Sequence, residues 1–431
     1  MSDRSTPTIT PAFAEKYPNP PADQSQFEPN LKKRHRWGRI WASIFLASTI
    51  VGVIALTVLI FTIINQSLGL AAITYKRDPA SLAPPGKTLE TLTCPELLPI
   101  VEQYVNRNRL RVLKAQKPFD QLSDAECYQM VIAEVAQPTA KETWFLLDSL
   151  RRSDEIREYV AKKYPAGELV FKTWLNWNFL TTTMSDNPLV AGIRTGILGS
   201  LYVILIVIVT AFPTGIAAAI YLEEYASETR LNRIIQTNIN NLAGVPSVIY
   251  GMLGLAFFVR ALEPLTSGAL LGFSDPATAN GRTILSAGLT LALLILPVVI
   301  INSQEAIKAV PNSLREASYG MGATRWQTIW HHVLPNALPG ILTGTILSVS
   351  RAFGETAPLV IVGASTYITI DPSSVFSKFT TLPIQVYQWT ARPQDAYKNI
   401  AAAAILVLLA LLLTLNATAI LLRNRYSRRL A

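Results

Sequence analysis

The chain has 431 residues, of which 50% are hydrophobic and 16% are charged, and its 38 Lys+Arg outnumber its 29 Asp+Glu. Average soluble domains carry about 25% charged residues, so the composition excludes a disordered chain and a disulfide-dense scaffold and favours an integral membrane protein. The basic residues flank apolar runs and form no basic face on a soluble module, which argues against nucleic-acid binding. Those beside the first and last apolar runs are Lys32, Lys33, Arg34, Arg36, Arg39, Arg423, Arg425, Arg428 and Arg429.

Residues 1–36 are predicted to form a disordered cytoplasmic tail. Residues 1–30 hold six prolines and few large apolar side chains, and so little apolar surface cannot offset the entropy lost on folding. The apolar run that follows is too long, and the polar stretch before it too extended, for a cleavable signal peptide. Residues 37–69 are therefore predicted to be the first transmembrane span.

Six apolar runs are long enough to cross the ~30 Å hydrocarbon core, which takes about 20 helical residues. They are Ile40–Tyr75, Thr195–Leu222, Ile234–Val259, Thr283–Gln304, Leu338–Ile370 and Asn399–Leu422. The predicted fold is therefore an all-α polytopic membrane protein with six transmembrane helices. The basic clusters beside the first and last runs place both termini in the cytoplasm. Residues 188–422 then form a domain of five spans, and residues 423–431 form a basic cytoplasmic tail.

Residues 70–187 are predicted to be a helical extracytoplasmic insert between the first and second spans. A Ser/Thr-x-x-Glu tetrad can cap a helix by satisfying two amides of its first turn. Three such tetrads occur, at Thr93–Glu96, Ser123–Glu126 and Thr139–Glu142. Each is followed by apolar residues at helical spacing, which favours three helix starts. The insert's sequence indicates no ligand site, so its role stays open.

The two cysteines, Cys94 and Cys127, both fall in the insert. An oxidising compartment permits a disulfide between them, but two cysteines at helix starts can equally remain free. They cannot form a structural zinc site without histidine. The three histidines, His35, His331 and His332, lie in segments predicted to be cytoplasmic, so no metal site and no cofactor are expected.

The sequence also carries no catalytic motif that could drive transport. A phosphate-binding P-loop needs Gly-x4-Gly-Lys-Ser/Thr, and the Gly86–Thr88 tripeptide has Ser81 at the first position. This tripeptide also lies in the insert, on the wrong side of the membrane for cytoplasmic ATP. The chain is therefore predicted to be a non-catalytic subunit that depends on another protein for ATP hydrolysis.

The largest predicted inner loop carries the most informative motif, between Arg315 and Pro335. Its marker residues are Arg315, Glu316, Ala317, Gly322, Leu334 and Pro335. This spacing resembles the EAA loop of ABC importer permeases, which implies a short helix that docks on an ATPase subunit. The loop departs from the family pattern at Ser318, where alanine is usual, and at His332. An ordinary amphipathic interfacial loop is the alternative.

Three further segments narrow the resemblance. Residues 217–225, 241–251 and 351–359 are similar to the PstA family of phosphate-specific ABC permease subunits, and the sequence from Gly354 to Leu359 favours that family over the sister PstC family. The resemblance covers residues 187–422 and excludes the tail and the insert. It implies an inner-membrane complex with a PstC-like sister permease, two PstB-like ATPase subunits and an extracytoplasmic PstS-like phosphate-binding protein.

Arg351 and Glu355 are isolated charges within an apolar run. Ionisable groups inside a span are costly and are usually functional. Their spacing of four places them on one helix face, where they can pair. The pair can be a structural element that fixes helix packing, or the guanidinium can line a polar path for the substrate. A phosphate substrate favours the second alternative, because the planar guanidinium can donate hydrogen bonds to two phosphate oxygens.

Other functions remain as alternatives to phosphate import. A permease for another oxyanion, molybdate or sulfate, would use the same arginine chemistry. A membrane sensor with an extracytoplasmic ligand domain would need an output domain inside, and the sequence shows none. A secondary transporter would favour inverted repeats and acidic residues in several spans, whereas Glu355 is the one acidic residue clearly placed inside a run.

Overall fold

The structure is a computed structural model that describes residues 31–84, 87–116, 118–165, 167–273, 280–364 and 367–430. The chain divides into two units, one ending at Phe61 and the other beginning at Thr62. The described part of the first unit is most of helix α1 (Leu31–Ser67), so residues 31–36, predicted as the end of the tail, are helical. The rest of the predicted tail, residues 1–30, lies outside the described residues. The apolar side chains of α1, among them Phe45 and Val51, are exposed, as expected for a helix whose solvent is lipid.

The insert combines helices with a three-stranded antiparallel sheet of order β2-β1-β3. In chain order its elements are β1 (Leu68–Tyr75), α2 (Pro79–Leu82), α3 (Cys94–Tyr104), α4 (Arg107–Gln116), α5 (Asp124–Val131), β2 (Pro138–Thr143), α6 (Leu146–Arg151), α7 (Ser153–Lys163), β3 (Glu168–Thr173) and α8 (Trp177–Thr181). The sequence analysis did not predict the sheet. Its central strand, β1, is the end of the first apolar run, where the helix stops at Ser67 and the chain becomes extended.

Two of the three predicted capping boxes are confirmed. The Thr93–Glu96 box precedes α3 and the Ser123–Glu126 box precedes α5, each with both reciprocal hydrogen bonds. The third, Thr139–Glu142, is wrong, because these residues belong to β2. Pairing with β1 satisfies their backbone groups and removes the need for a cap. Glu142 instead accepts a hydrogen bond from Lys163 Nζ at 2.6 Å.

A disulfide joins Cys94 and Cys127, whose Cα atoms are 5.3 Å apart. Cys94 begins α3 and Cys127 lies in α5. Both cysteines belong to a small apolar core of the insert that also contains Leu97 and Val131. The covalent link therefore ties together the two helices that the confirmed capping boxes begin.

The second unit also contains the helices of the predicted five-span domain. They are α9 (Arg194–Ile220, continued by a π-helical turn Tyr221–Tyr225), α10 (Arg230–Ala243), α11 (Ser247–Gly254, continued by a π-helical segment Leu255–Ala261), α12 (Glu263–Thr266), α13 (Ile284–Lys308), α14 (Asn312–Gly320), α15 (Arg325–Thr328, continued by a π-helical turn Ile329–Val333), α16 (Leu334–Gly354), α17 (Ala357–Val362), α18 (Leu382–Thr390) and α19 (Asp395–Leu430). Buried Leu291 and Ile295 place α13 at the centre of the core.

Five helices of the described chain are long and apolar enough to cross a membrane. They are Arg34–Ser67, Arg194–Tyr225, Ile284–Lys308, Arg325–Gly354 and Asp395–Arg425. A sixth crossing exists if Arg230–Ala243 and Ser247–Ala261, bent by 106°, count as one span. With that pair included, the membrane helices agree with the six-span polytopic fold predicted from the sequence, and the sheet is confined to the insert.

Besides the first run, which ends in β1, two further predicted runs are not continuous helices. The third bends at Gly244–Pro246, because proline lacks a backbone donor and disfavours helical geometry in the residue before it. The fifth ends at Gly354 and restarts at Ala357, so Glu355 has extended backbone angles. The helices that follow the two breaks, α11 and α17, approach closely, since a Cβ on Gly251 would lie 2.7 Å from Pro358 Cα.

Candidate coupling loop and translocation residues

The segment identified by its EAA spacing forms a helical hairpin. Helix α14 ends at Gly320, and Gly322 adopts φ +80°, a left-handed conformation that favours glycine. Thr324 then caps α15 through a complete capping box with Gln327. The sequence therefore supplies a stop, a turn and a new start within five residues, which gives the loop a defined shape.

Arg315 anchors this hairpin to the rest of the domain. Its guanidinium donates to Glu224 Oε1 through Nε at 3.1 Å and Nη2 at 2.8 Å. It also donates to the carbonyl oxygens of Val310 at 2.7 Å and Ile307 at 3.0 Å. The side chains of Arg315 and Glu224 are 15% and 7% exposed. Because both charged groups are largely buried and hydrogen-bonded, they fix the loop to the ends of α9 and α13.

A second polar network lies beside this pair. Gln304 Nε2 on α13 donates to Glu223 Oε1 at 2.9 Å and to Gln236 Oε1 of α10 at 2.8 Å. Lys308 Nζ lies 3.4 Å from the same Glu223 oxygen. Adjacent residues at the end of α9 thus connect in two directions, Glu224 toward the loop and Glu223 toward α10 and α13.

Ser318, one of the two departures from the family pattern, has a partner inside the hairpin. Its hydroxyl lies 2.9 Å from that of Thr328, and both side chains are buried. The bond joins α14 to α15 across the Gly322 turn. The second departure, His332, is exposed and does not disturb the local packing.

Several side chains of the hairpin are exposed, and some of these are apolar. Glu316 and Ala317 are exposed, and Met321 is 88% exposed. Trp326 and Trp330 are also exposed, and their rings stack with centroids 5.6 Å apart. Exposed aromatic and methionine side chains are typical of a protein-binding face. The remaining motif residues, Leu334 and Pro335, are half-buried at the start of α16.

Arg351 and Glu355 form an ion pair at the far end of α16. Arg351 Nε lies 3.4 Å from Glu355 Oε1, with the side chains 51% and 19% exposed. Glu355 is the residue after the helix, so the pair spans the break before α17. The pair uses the Nε–H donor of Arg351, which leaves the four N–H donors at the exposed end of the guanidinium outside it.

The structure thus places the motif residues in two separate groups. Arg315, Glu316 and Ala317 lie in α14, whereas Leu334 and Pro335 begin α16. Arg351 lies 17 residues after Leu334 on that same helix, about 25 Å away at 1.5 Å per residue. Sequence reasoning missed Glu224 and Glu223. The available signal was their position at the polar end of an apolar run.

Comparisons with known proteins agree with this arrangement. Residues 211–431 match the family described as the inner membrane component of binding-protein-dependent transport systems. The chain is 35% identical over 255 residues to the phosphate transport system permease protein PstA 1 of Mycobacterium tuberculosis, which covers 59% of this chain and 77% of that protein.

Two further relatives match over a similar length. A probable ABC transporter permease protein, YqgI of Bacillus subtilis, is 30% identical over 241 residues, with 53% of this chain and 76% of that protein covered. The phosphate transport system permease protein PstA of Xylella fastidiosa is 30% identical over 236 residues, with 54% and 76% covered. The chain therefore belongs to the family of inner membrane components of binding-protein-dependent transport systems, and it is a multi-pass membrane protein.

Proposed function

We propose that the chain is the permease subunit of an ATP-driven importer of inorganic phosphate. The observation that carries this proposal is the 35% identity to a phosphate permease over 77% of that protein's length. The family match over residues 211–431 includes the Arg315–Pro335 hairpin and the Arg351–Glu355 pair. Phosphate would be the cargo, and the chain would form half of the transmembrane pathway.

In this proposal the other half of the pathway is a homologous PstC-like permease. An extracytoplasmic PstS-like protein delivers phosphate, and two PstB-like ATPase subunits bind and hydrolyse ATP on the cytoplasmic side. Both termini and the hairpin face the cytoplasm, as the basic clusters indicate. The chain itself makes no covalent change to ATP or to phosphate.

Coupling would run through the hairpin and α16. The exposed Trp326–Trp330 stack and Met321 offer an apolar contact for an ATPase subunit. Because Arg315 is bonded to Glu224, a rigid-body displacement of the hairpin would also displace the end of α9. The hairpin continues through a π-helical turn into α16, so ATPase closure would be transmitted to the spans as helix movement.

Arg351 would be the cargo contact within the pathway. A guanidinium offers a planar set of donors that matches two phosphate oxygens. Glu355 orients it and offsets part of its charge. This keeps phosphate binding weak enough for release, as a conduction site requires.

The test is labelled-phosphate uptake by proteoliposomes that hold this chain, its sister permease and the ATPase subunits, with binding protein outside and ATP on the cytoplasmic face. We expect phosphate uptake that requires both ATP and the binding protein. Excess sulfate or molybdate should not suppress this uptake. Uptake of sulfate or molybdate in place of phosphate would overturn the cargo assignment. An assembled complex that moves none of these oxyanions would overturn the importer assignment.

A further inference from the structure

A cavity of about 200 Å³ lies where the sheet of the insert meets the five-span domain. Its wall includes Ile73 of β1, Lys172 of β3, Ala191 just before α9 and Ile400 of α19. This volume far exceeds the ~15 Å³ that one water needs. It is smaller than the ~300–1,000 Å³ of pockets for drug-sized ligands. The space therefore suits a small solute.

The charge on the cavity wall is of one sign, positive. Among the described residues, Lys172 is the one lysine or arginine that lines it, and no carboxylate lines it. Lys172 Nζ donates to the carbonyl oxygen of Leu189 at 2.7 Å and lies 5.1 Å from the ring centroid of Trp174. An ammonium group has three donors, and two of these have no partner in the part of the chain that is described.

Burial lowers the pKa of Lys172 to about 8, so the ammonium form still predominates at neutral pH. A desolvated cation without a counter-ion is costly, and it is stabilised by any anion that reaches it. Tyr75 also lines the cavity. Burial, followed by the charges of Glu168 and Asp78, raises the pKa of Tyr75, so its hydroxyl remains a donor.

We propose that this cavity is a binding site for one small oxyanion, such as orthophosphate, held by the Lys172 ammonium with neutral donors around it. Tyr75, Gln129 and Asn178 supply hydroxyl and amide groups on the wall. The site is distinct from the Arg351–Glu355 pair, since it is formed by the insert and the outer edge of the domain. It does not depend on the identity of the cargo.

An anion in this cavity would bridge the two parts of the second unit. Lys172 belongs to the sheet, whereas Leu189 and Ala191 lead into α9 and Ile400 lies on α19. Occupancy would therefore stabilise the insert against the domain by mass action. This assigns the insert a role as an anion-responsive element, which its sequence alone does not reveal.

The experiment is equilibrium binding of labelled orthophosphate to the full chain in nanodiscs, without ATP or partner proteins. Lys172→Met keeps the length of the side chain and removes its charge. Lys162→Met removes an exposed lysine of the same insert and is the matched control. We expect saturable binding that Lys172→Met weakens at least tenfold, in line with the loss of a charge-assisted hydrogen bond, and that Lys162→Met leaves intact.

Tyr75→Phe is a second variant that deletes only the hydroxyl, and we expect it to weaken binding severalfold. Competition by sulfate would support an oxyanion site of broad selectivity, and its failure would support one selective for phosphate. Binding that Lys172→Met does not change would overturn the proposal. So would the absence of any phosphate or sulfate binding up to about 10 mM, which corresponds to less than about 3 kcal/mol. Because transport is not measured, this result is independent of the uptake experiment.

Discussion

Arg315 Nη2 lies 2.8 Å from Glu224 Oε1, and this largely buried ion pair joins the Arg315–Pro335 hairpin to the end of α9. The two residues are 91 positions apart, so the contact links separate helices. Two carbonyl oxygens take further donors of the same guanidinium. These contacts make the hairpin part of the helical domain.

Removing the carboxylate charge should uncouple the subunit. Glu224→Gln leaves a buried arginine without its counter-ion, and breaking a buried pair costs about 3–5 kcal/mol. We expect a lower thermal midpoint and at least a tenfold loss of phosphate uptake in the assembled complex. Glu228→Gln is the control, because Glu228 is exposed just beyond the same turn. Equal effects of the two substitutions would contradict the anchoring role of Glu224.

The exposed face of α14 should be sensitive to charge reversal. Glu316 is exposed and has no intramolecular ion pair among the described residues, so Glu316→Lys should leave membrane insertion and the thermal midpoint unchanged. In the assembled complex we expect uptake to fall and ATP hydrolysis to lose its dependence on the binding protein, since the ATPase contact is disturbed. Normal uptake by this variant would remove the coupling role from the hairpin.

The Ser318–Thr328 hydrogen bond should behave as a unit in a double-mutant cycle. Ser318→Ala leaves the buried Thr328 hydroxyl unsatisfied, which costs about 1–3 kcal/mol. Thr328→Val has the converse effect, whereas the double variant removes both polar groups and should be closer to wild type. The unfolding free energies of the four proteins in detergent measure the coupling. Additive losses would show that the two hydroxyls are energetically independent.

The Cys94–Cys127 disulfide should stabilise the insert. The cysteines are 33 residues apart, and closing a loop of this size contributes about 3–4 kcal/mol in the chain-entropy description. Reduction should therefore accelerate proteolysis within α3 to α5 while the membrane helices stay protected. A Cys94→Ala/Cys127→Ala variant should match the reduced protein and show no response to reductant. Unchanged proteolysis on reduction would contradict a stabilising bond.

The parts of the fold that local patterns determine could be predicted from the sequence. Apolar run length located the membrane helices, and the two boxes at Thr93 and Ser123 marked true helix starts, because each signal acts within a few residues. The third box failed at Thr139, where pairing with a distant strand overrides the local preference. The sequence shows the proline at position 246, but the angle of the bend there depends on the helices packed around it.

The same distinction applies to the candidate site. Arg315 and Glu316 were identified by spacing, since a motif is a local pattern. Glu224 and Lys172 were not, because their roles arise from partners that the chain brings together over long sequence distances. A glutamate at the end of an apolar run is a signal that the sequence offers for Glu224. A lysine in a strand that was not predicted offers no such signal for Lys172.

The most direct test of the account compares Arg351→Gln with wild type in complete proteoliposomes, measuring phosphate uptake and ATP hydrolysis in the same sample. Arg260→Gln is the control, because Arg260 is an exposed arginine with no ion pair in the described chain. The account predicts that Arg351→Gln assembles normally and loses at least tenfold in uptake, whereas Arg260→Gln transports like wild type. Wild-type uptake by an assembled Arg351→Gln complex would contradict the assignment of Arg351 to the phosphate pathway.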